Sequence, residues 1–426
     1  MRRLPGLIAM MFIFLVILAA EPVFAEEALQ PPAEQTGQPA DQTVEQLPET
    51  PHSEAAILID AKSGAVLFAK NETERLYPAS ITKIVTGIIA LEQSNPSDIV
   101  TVSKTARNED GTRIYLAEGE QKPMLDLIEG MLINSGNDAA TAIAEHIDGT
   151  KEQFAARMNE FVRKLGLWDT NFVNPSGLPD ENQYTTARDM ARIAQYAMQN
   201  EQFRQVVATK SRPWVGEEWV SKLENHNKML GSYEGAIGVK NGFTQAAGYT
   251  LVSAAQRGDT ELIGVILKGA TDSGVYKDMT QLLDYGFAHF TSKQVMAADE
   301  KRTFVTRDTG KPAEFIADKP LFVTIKDGVV PTVAVDSNGK VYVQSSEVYN
   351  PAETAGALVP IIPLAEQAEV QIASVTNSNP VKGSGQSAKF SGWNLGVAIT
   401  WSVMLLFMLL AGRIMYVRQR RRRLYK

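Results

Sequence analysis

Cysteine is absent from all 426 residues, which excludes disulfide scaffolds, thiolate metal sites, iron-sulfur clusters and cysteine nucleophiles. Histidine is scarce: His52, His146, His226 and His289 are scattered, and no two stand at the i, i+4 spacing of a helical metal pair. No metal or cofactor is expected, and a nucleophile in this chain needs a base other than histidine. Positive charge is short as well. Residues 26–412 hold 33 basic against 48 acidic residues, a net of −15, which repels nucleic acid and argues against such a partner. What remains is 44% hydrophobic and 21% charged, an ordinary globular composition with length for two or three domains.

The two ends differ from the body. Residues 1–25 read as a signal peptide: Arg2 and Arg3, an uncharged apolar run from Leu7 to Ala20, then Val23-Phe24-Ala25 with a small residue at the cut. Residues 26–52, rich in Glu, Gln, Pro and Thr, read as a flexible linker. Near the other end, Leu395 to Gly412 carries no charge; as a helix it is ~27 Å long, close to the hydrocarbon thickness. Trp393, Arg413, Tyr416 and the run Arg420 to Arg423 border it, so residues 393–417 are expected to span a membrane, with the basic tail 418–426 cytoplasmic. The body is then extracytoplasmic, on a single-pass anchor in a cell membrane.

Within the body, Ala55 to Asp60 and Ala65 to Phe68 around Lys62-Ser63-Gly64 form a β-hairpin signal. Helical spacing follows from Tyr77 to about Glu92, with Pro78 near the first turn, and again over 123–133, 138–147, 151–165 and 185–199. Strands return at 237–244, 248–255 and 261–267, then a helix over about 277–290. Strands from both ends of residues 53–292 therefore bracket a helical insert. Residues 293–366 turn to short β-prone runs and read as a small separate β domain; 367–392 is a second linker.

Three short stretches carry chemistry. Ser80-Ile81-Thr82-Lys83 places a serine and a lysine three residues apart, on one side of a helix start. A serine hydroxyl is a poor nucleophile until a neighbour takes its proton, and a desolvated lysine is the available base. Ser-x-x-Lys alone is weak evidence: it recurs at Ser337 to Lys340, where Asn338-Gly339 between two β-prone runs argues for a hairpin turn. Ser135-Gly136-Asn137 lies in a break between two helices and can relay a proton and hold a substrate amide; on local grounds alone a helix-capping loop, with Asn137 or Asp138 as N-cap, is the favoured reading. Lys240-Asn241-Gly242, followed by Phe243-Thr244, sits on a strand, offering a fixed charge beside a closely approachable backbone.

In this order and spacing the three stretches resemble the motifs of the serine penicillin-recognising enzymes. The text around them, Tyr77-Pro78-Ala79-Ser80, Asn134 to Ala140 and Asn171 to Leu178, resembles the low-molecular-mass penicillin-binding proteins that act as D-alanyl-D-alanine carboxypeptidases. The resemblance implies an α+β fold: a β-lactamase/D,D-peptidase-like antiparallel sheet flanked by helices with a helical insert, plus the small C-terminal β domain and one transmembrane helix. It implies Ser80 as nucleophile, Lys83 as its base and Ser135 as proton relay. Asn137, Lys240, Asn241, Gly242, Phe243 and Thr244 would bind substrate. The implied substrates are peptidoglycan stem peptides ending in D-Ala-D-Ala, with β-lactams as covalent inhibitors. Two departures stand out: the family usually has Thr where this chain has Asn241, and often an Arg where it reads Ser273-Gly274-Val275-Tyr276. They motivate the alternative of a non-catalytic wall-binding protein on the same fold. A β-lactamase is a further alternative, disfavoured because the loop Asn174 to Gln183 offers only Asp180 and Glu181, without the usual water-activating pattern.

Overall fold

The computed structural model describes residues 47–326, 332–344 and 356–360. The expected signal peptide, the linker up to residue 46, the linker 367–392, the membrane span and the basic tail lie outside them. Among the described residues no helix is long and apolar enough to cross a membrane.

Strands β1 (Ser53–Asp60) and β2 (Val66–Lys70) pair antiparallel as the expected hairpin. A 3-10 turn over Ala79–Thr82 runs into α1 (Lys83–Gln93). The insert continues through β3 (Ile99–Thr101), α2 (Lys104–Arg107), β4 (Gln121–Pro123), α3 (Met124–Ile133), α4 (Asn137–Asp148), α5 (Lys151–Lys164), α6 (Ala187–Ala197) and α7 (Glu201–Ala208). A hairpin of β5 (Ser211–Val215) and β6 (Val220–Glu224), then a short α8 (Met229–Ser232), lead back to β7 (Ala236–Thr244), β8 (Gly248–Arg257) and β9 (Thr260–Gly269), and α9 (Asp272–His289) follows. The five-stranded sheet has the order β2-β1-β9-β8-β7 and is antiparallel throughout. Strand β7 is thus an edge.

The sheet is covered on both faces, which explains why its strands read as unbroken apolar runs. Along β1 the side chains alternate. Ala55, Ile57 and Ile59 join the helical core with Ile84, Ile88, Met190 and Phe203, whereas Ala56 and Leu58 pack with Met279, Leu282 and Leu283 of α9. Helix α1 is buried nearly all round, Lys83 to Ala90 without exception, as expected of a helix at the centre of a core. The 3-10 turn over Ala79–Thr82 rests directly on this rigid post.

Beyond α9, short strands build the small β region: β10 (Phe290–Met296) pairs with β13 (Leu321–Lys326), β11 (Lys301–Val305) and β12 (Pro312–Ile316) pair with each other, and β14 (Thr332–Val335) pairs with β15 (Lys340–Gln344). Met296, Phe315, Leu321, Val335, Val341 and Leu358 form its own apolar cluster. The second Ser-x-x-Lys lies here, and it is the tight turn between β14 and β15. Asp60, fully buried at the end of β1, ties this region to the sheet. Its Oδ2 accepts from Ser292 Oγ at 2.7 Å and Thr324 Oγ1 at 2.9 Å, and its Oδ1 from the amides of Lys62 and Ser63.

Replacing Asp60 with Ala strands four donors. The expected loss is about 2–4 kcal/mol of unfolding free energy, read from urea titration; an unchanged midpoint would mean that water satisfies those donors.

Candidate active site

Ser80 is held by four constraints. Ala79, just before it, has a left-handed backbone (φ +50°), a conformation that costs a residue with a Cβ about 1 kcal/mol or more. Thr250 Oγ1 donates to Pro78 O at 2.9 Å, fixing the turn against β8. Gly242 of β7 lies so close that a Cβ there would stand 2.6 Å from Ser80 N. At Gly177 (φ +89°) a Cβ would collide with Ala79 O. The nucleophile turn is therefore wedged between an edge strand and the loop after α5, and both positions demand glycine.

Lys83, the first residue of α1, is wholly buried. Its Nζ lies 3.1 Å from Ser80 Oγ, 2.7 Å from Asn137 Oδ1 and 2.6 Å from Ser176 O. Burial, and secondarily the charge of Lys240, push its pKa well below the usual lysine range. As an ammonium it donates to all three oxygens. As a neutral amine it keeps two hydrogens for the two short contacts, and its lone pair is left facing the Ser80 hydroxyl. That is the geometry of a general base on a serine.

Ser135, buried and also left-handed (φ +64°), stands at the break before α4. Neither neighbour acts as the helix cap that local reasoning allowed: the cap position is Gly136, with no side-chain bond. Asn137 instead receives Lys83 on Oδ1 and donates through Nδ2 to Asp110 O at 2.6 Å. Asp138, fully buried, accepts from the amides of Ile114, Leu116 and Ala139. These bonds clamp the loop preceding the corner to it, while burial raises its carboxyl pKa in spite of them.

Lys240 is 2% exposed, and burial pushes its amine down to about 7. It donates to Asn241 O at 3.0 Å and more distantly to Asn241 Oδ1. Gly242 faces Ser80, Phe243 is half exposed with its ring 4.5 Å from that of Tyr249, and Thr244 Oγ1 accepts from Ala247 N in the following turn. The three motifs thus meet around one buried pair of amines.

The profile of the D-alanyl-D-alanine carboxypeptidase family matches residues 41–271, more than half of the chain. The chain belongs to the D-alanyl-D-alanine carboxypeptidase family. Among its relatives, the D-alanyl-D-alanine carboxypeptidase DacF of Bacillus subtilis is 33% identical over 284 residues, covering 63% of this chain and 73% of that one. DacA of Escherichia coli is 30% identical over 321 residues, covering 71% and 76%. In structure, penicillin binding protein 5 of Haemophilus influenzae superposes with a TM-score of 0.64 at 30% identity, covering 74% of this chain and 98% of that one. The Streptomyces K15 DD-transpeptidase gives 0.55 at 31%, covering 57% and 100%.

This carboxypeptidase is a serine-type peptidase, and its fold is the α+β arrangement of that family. Several residues at its site escaped sequence reasoning. Ser176 contributes only a carbonyl, which no side-chain pattern can signal. His226 lies near both lysines; burial first, then Lys240, lower its pKa to about 4, so its imidazole is neutral at physiological pH. Trp214 lies on β5 and Trp219 in the turn just before β6.

Gly242→Ala forces β7 and the Ser80 turn apart. The rate of penicillin acylation is expected to fall about 10²-fold, the scale of a misplacement near 1 Å, with the circular dichroism spectrum retained; an unchanged rate would remove β7 from the site.

Proposed function

We propose that the protein is an exported, membrane-held D,D-carboxypeptidase that removes the terminal D-alanine from peptidoglycan stem peptides through an acyl-enzyme on Ser80. The observation that carries this reading is the buried Lys83 amine, 3.1 Å from Ser80 Oγ, with its other two contacts already taken.

Neutral Lys83 takes the Ser80 proton as Oγ attacks the carbonyl between the two D-alanines. The developing oxyanion is held by the Ser80 and Phe243 N–H groups. Ser135 relays the proton from Lys83 to the leaving amine, and the C–N bond breaks. D-alanine departs, with its carboxylate attracted by Lys240, while Asn137 and the β7 edge from Asn241 to Thr244 hold the peptide backbone. Water then adds to the ester, gives a proton back through Lys83, and frees Ser80 and the shortened peptide. Penicillin enters the same path but leaves a stable ester. The anchor at 393–417 and the signal at 1–25 support an extracytoplasmic setting, where such substrates occur.

D-alanine release from a peptide ending in D-Ala-D-Ala is expected from the parent chain and not from Ser80→Ala, which should also lose all covalent labelling by fluorescent penicillin. Labelling that persists in Ser80→Ala sinks the mechanism. A folded parent that neither takes the penicillin label nor releases D-alanine points instead to the binding protein on this fold.

The two amines set the pH profile. Acylation is expected to fall on the acid side as Lys83 takes up a proton and loses its lone pair, and on the alkaline side, above about pH 7, as Lys240 gives up its charge. Lys240→Arg, charged at every accessible pH, should lose the alkaline limb; a limb that stays in place belongs to another group.

A further inference from the structure

The loop that leads into the Ser135 corner has a feature the mechanism above does not use. Ile114 and Leu116 are buried, and both give their amides to the one carboxylate of Asp138. Between them Tyr115 is held with a left-handed backbone (φ +56°), and its ring is turned outward, 49% exposed. For a bulky residue this conformation is strained, and it persists only where the surroundings impose it. The strain places an aromatic ring in solvent beside the site.

The ring is not isolated. The edge of Trp219 meets it at 5.8 Å in a T-shaped contact, and the Arg113 guanidinium lies 5.2 Å from its centroid. Trp219 comes from the β5–β6 hairpin, which is fastened to the same region at both ends. Arg107 binds Glu218 through Nε and Nη2, Lys122 Nζ donates to Val215 O, and Glu224 N donates to Asn134 Oδ1, one residue before Ser135. On the other side, Asn137 N donates to Thr112 O at 2.7 Å. The Tyr115–Trp219 pair therefore stands between two ties to residues 134–137. Val215 and Val220, paired across the hairpin, are 68% and 70% exposed and extend the apolar surface.

Arg113 gives this surface a sign. Its hydrogen bond is to the Arg107 carbonyl, and it makes no ion pair among the described residues. Its charge reaches the buried Asp138 carboxyl, which is already bonded to three amides; in a body with a net charge of −15, a guanidinium beside an exposed ring with no ion-pair partner among the described residues can bind a further carboxylate.

We infer that Arg113, Tyr115 and Trp219 form a specificity subsite for the acyl donor: it takes the side chain of the residue preceding the D-alanine pair, its methylene stem lying on Tyr115 and a terminal carboxylate meeting Arg113. This rests on the proposed D,D-carboxypeptidase reading. Asn137 is the link, since the residue that holds the donor backbone is the one bonded to the Tyr115 loop. An ammonium-ended side chain is repelled by the same guanidinium, so the subsite discriminates by charge rather than by length.

The test compares two peptides of equal backbone, Nα-acetyl-L-Lys-D-Ala-D-Ala carrying Nε-succinyl, an aliphatic stem ending in carboxylate, or Nε-acetyl, which has none. The full chain is expected to favour the succinyl peptide by about tenfold or more in kcat/KM, the scale of one charge-assisted hydrogen bond, mainly through KM. Arg113→Ala should bring the two peptides to the same value, and Arg113→Lys should restore part of the preference. Tyr115→Ala should lower kcat/KM for the succinyl peptide, with thermal unfolding as the check on folding. Equal kcat/KM for the two peptides in the parent, or a preference that survives Arg113→Ala, overturns the subsite. A parent that hydrolyses neither peptide and takes no penicillin label overturns the underlying reading instead.

Discussion

One amine without water around it governs the site. Lys83 sits, wholly buried, in the first turn of a helix that is itself buried from Lys83 to Ala90, and it cannot carry its proton there at the usual cost. Burial alone would make it inert. What makes it a base is that Asn137 and Ser176 consume its hydrogens, so that the only direction left for the lone pair is toward Ser80. The rest of the molecule can be read as the apparatus that keeps this arrangement dry and in register. Helix α1 fills the core, the insert covers it, and the sheet stops the Ser80 turn from relaxing.

The two lysines are coupled through this dryness. Burial lowers both amines, and the charge of Lys240 lowers that of Lys83 further, so the pocket disfavours a second positive charge beside Lys240. That suits a reaction in which a proton leaves a serine, travels, and returns. It also explains why Ala79 and Ser135 are both left-handed: the strain at each corner is tolerated because burial and hydrogen bonds around them leave no other conformation.

Much of this was legible from residues. The short β-prone runs and the turns between them told the sheet, and the i, i+3 spacing told that Ser80 and Lys83 share a turn. The family resemblance, rather than composition, supplied their roles. The illegible parts have physical reasons. Ser176 acts through its backbone. Asp138 binds amides that lie 22 and 24 residues earlier in the chain, a pairing set by tertiary structure alone. The β5–β6 hairpin hides because Arg212, Pro213, Lys222 and Glu224 break its apolar alternation. Helix α9 starts five residues before its expected point, because Thr271 caps the weakly helical Ser273-Gly274 by accepting from the Gly274 amide. At the Asn241 departure, Lys240 donates to the backbone carbonyl at 3.0 Å and reaches the side-chain Oδ1 only at 3.5 Å.

The edge position of β7 has a further consequence. An open strand edge offers amides and carbonyls in a fixed rhythm, and any extended chain can answer it, whatever its side chains. Such an edge confers grip without discernment. An enzyme that works on one peptide among many must then take its selectivity from the two ends of the ladder, where charge and shape differ, and leave the rungs between them deliberately indifferent.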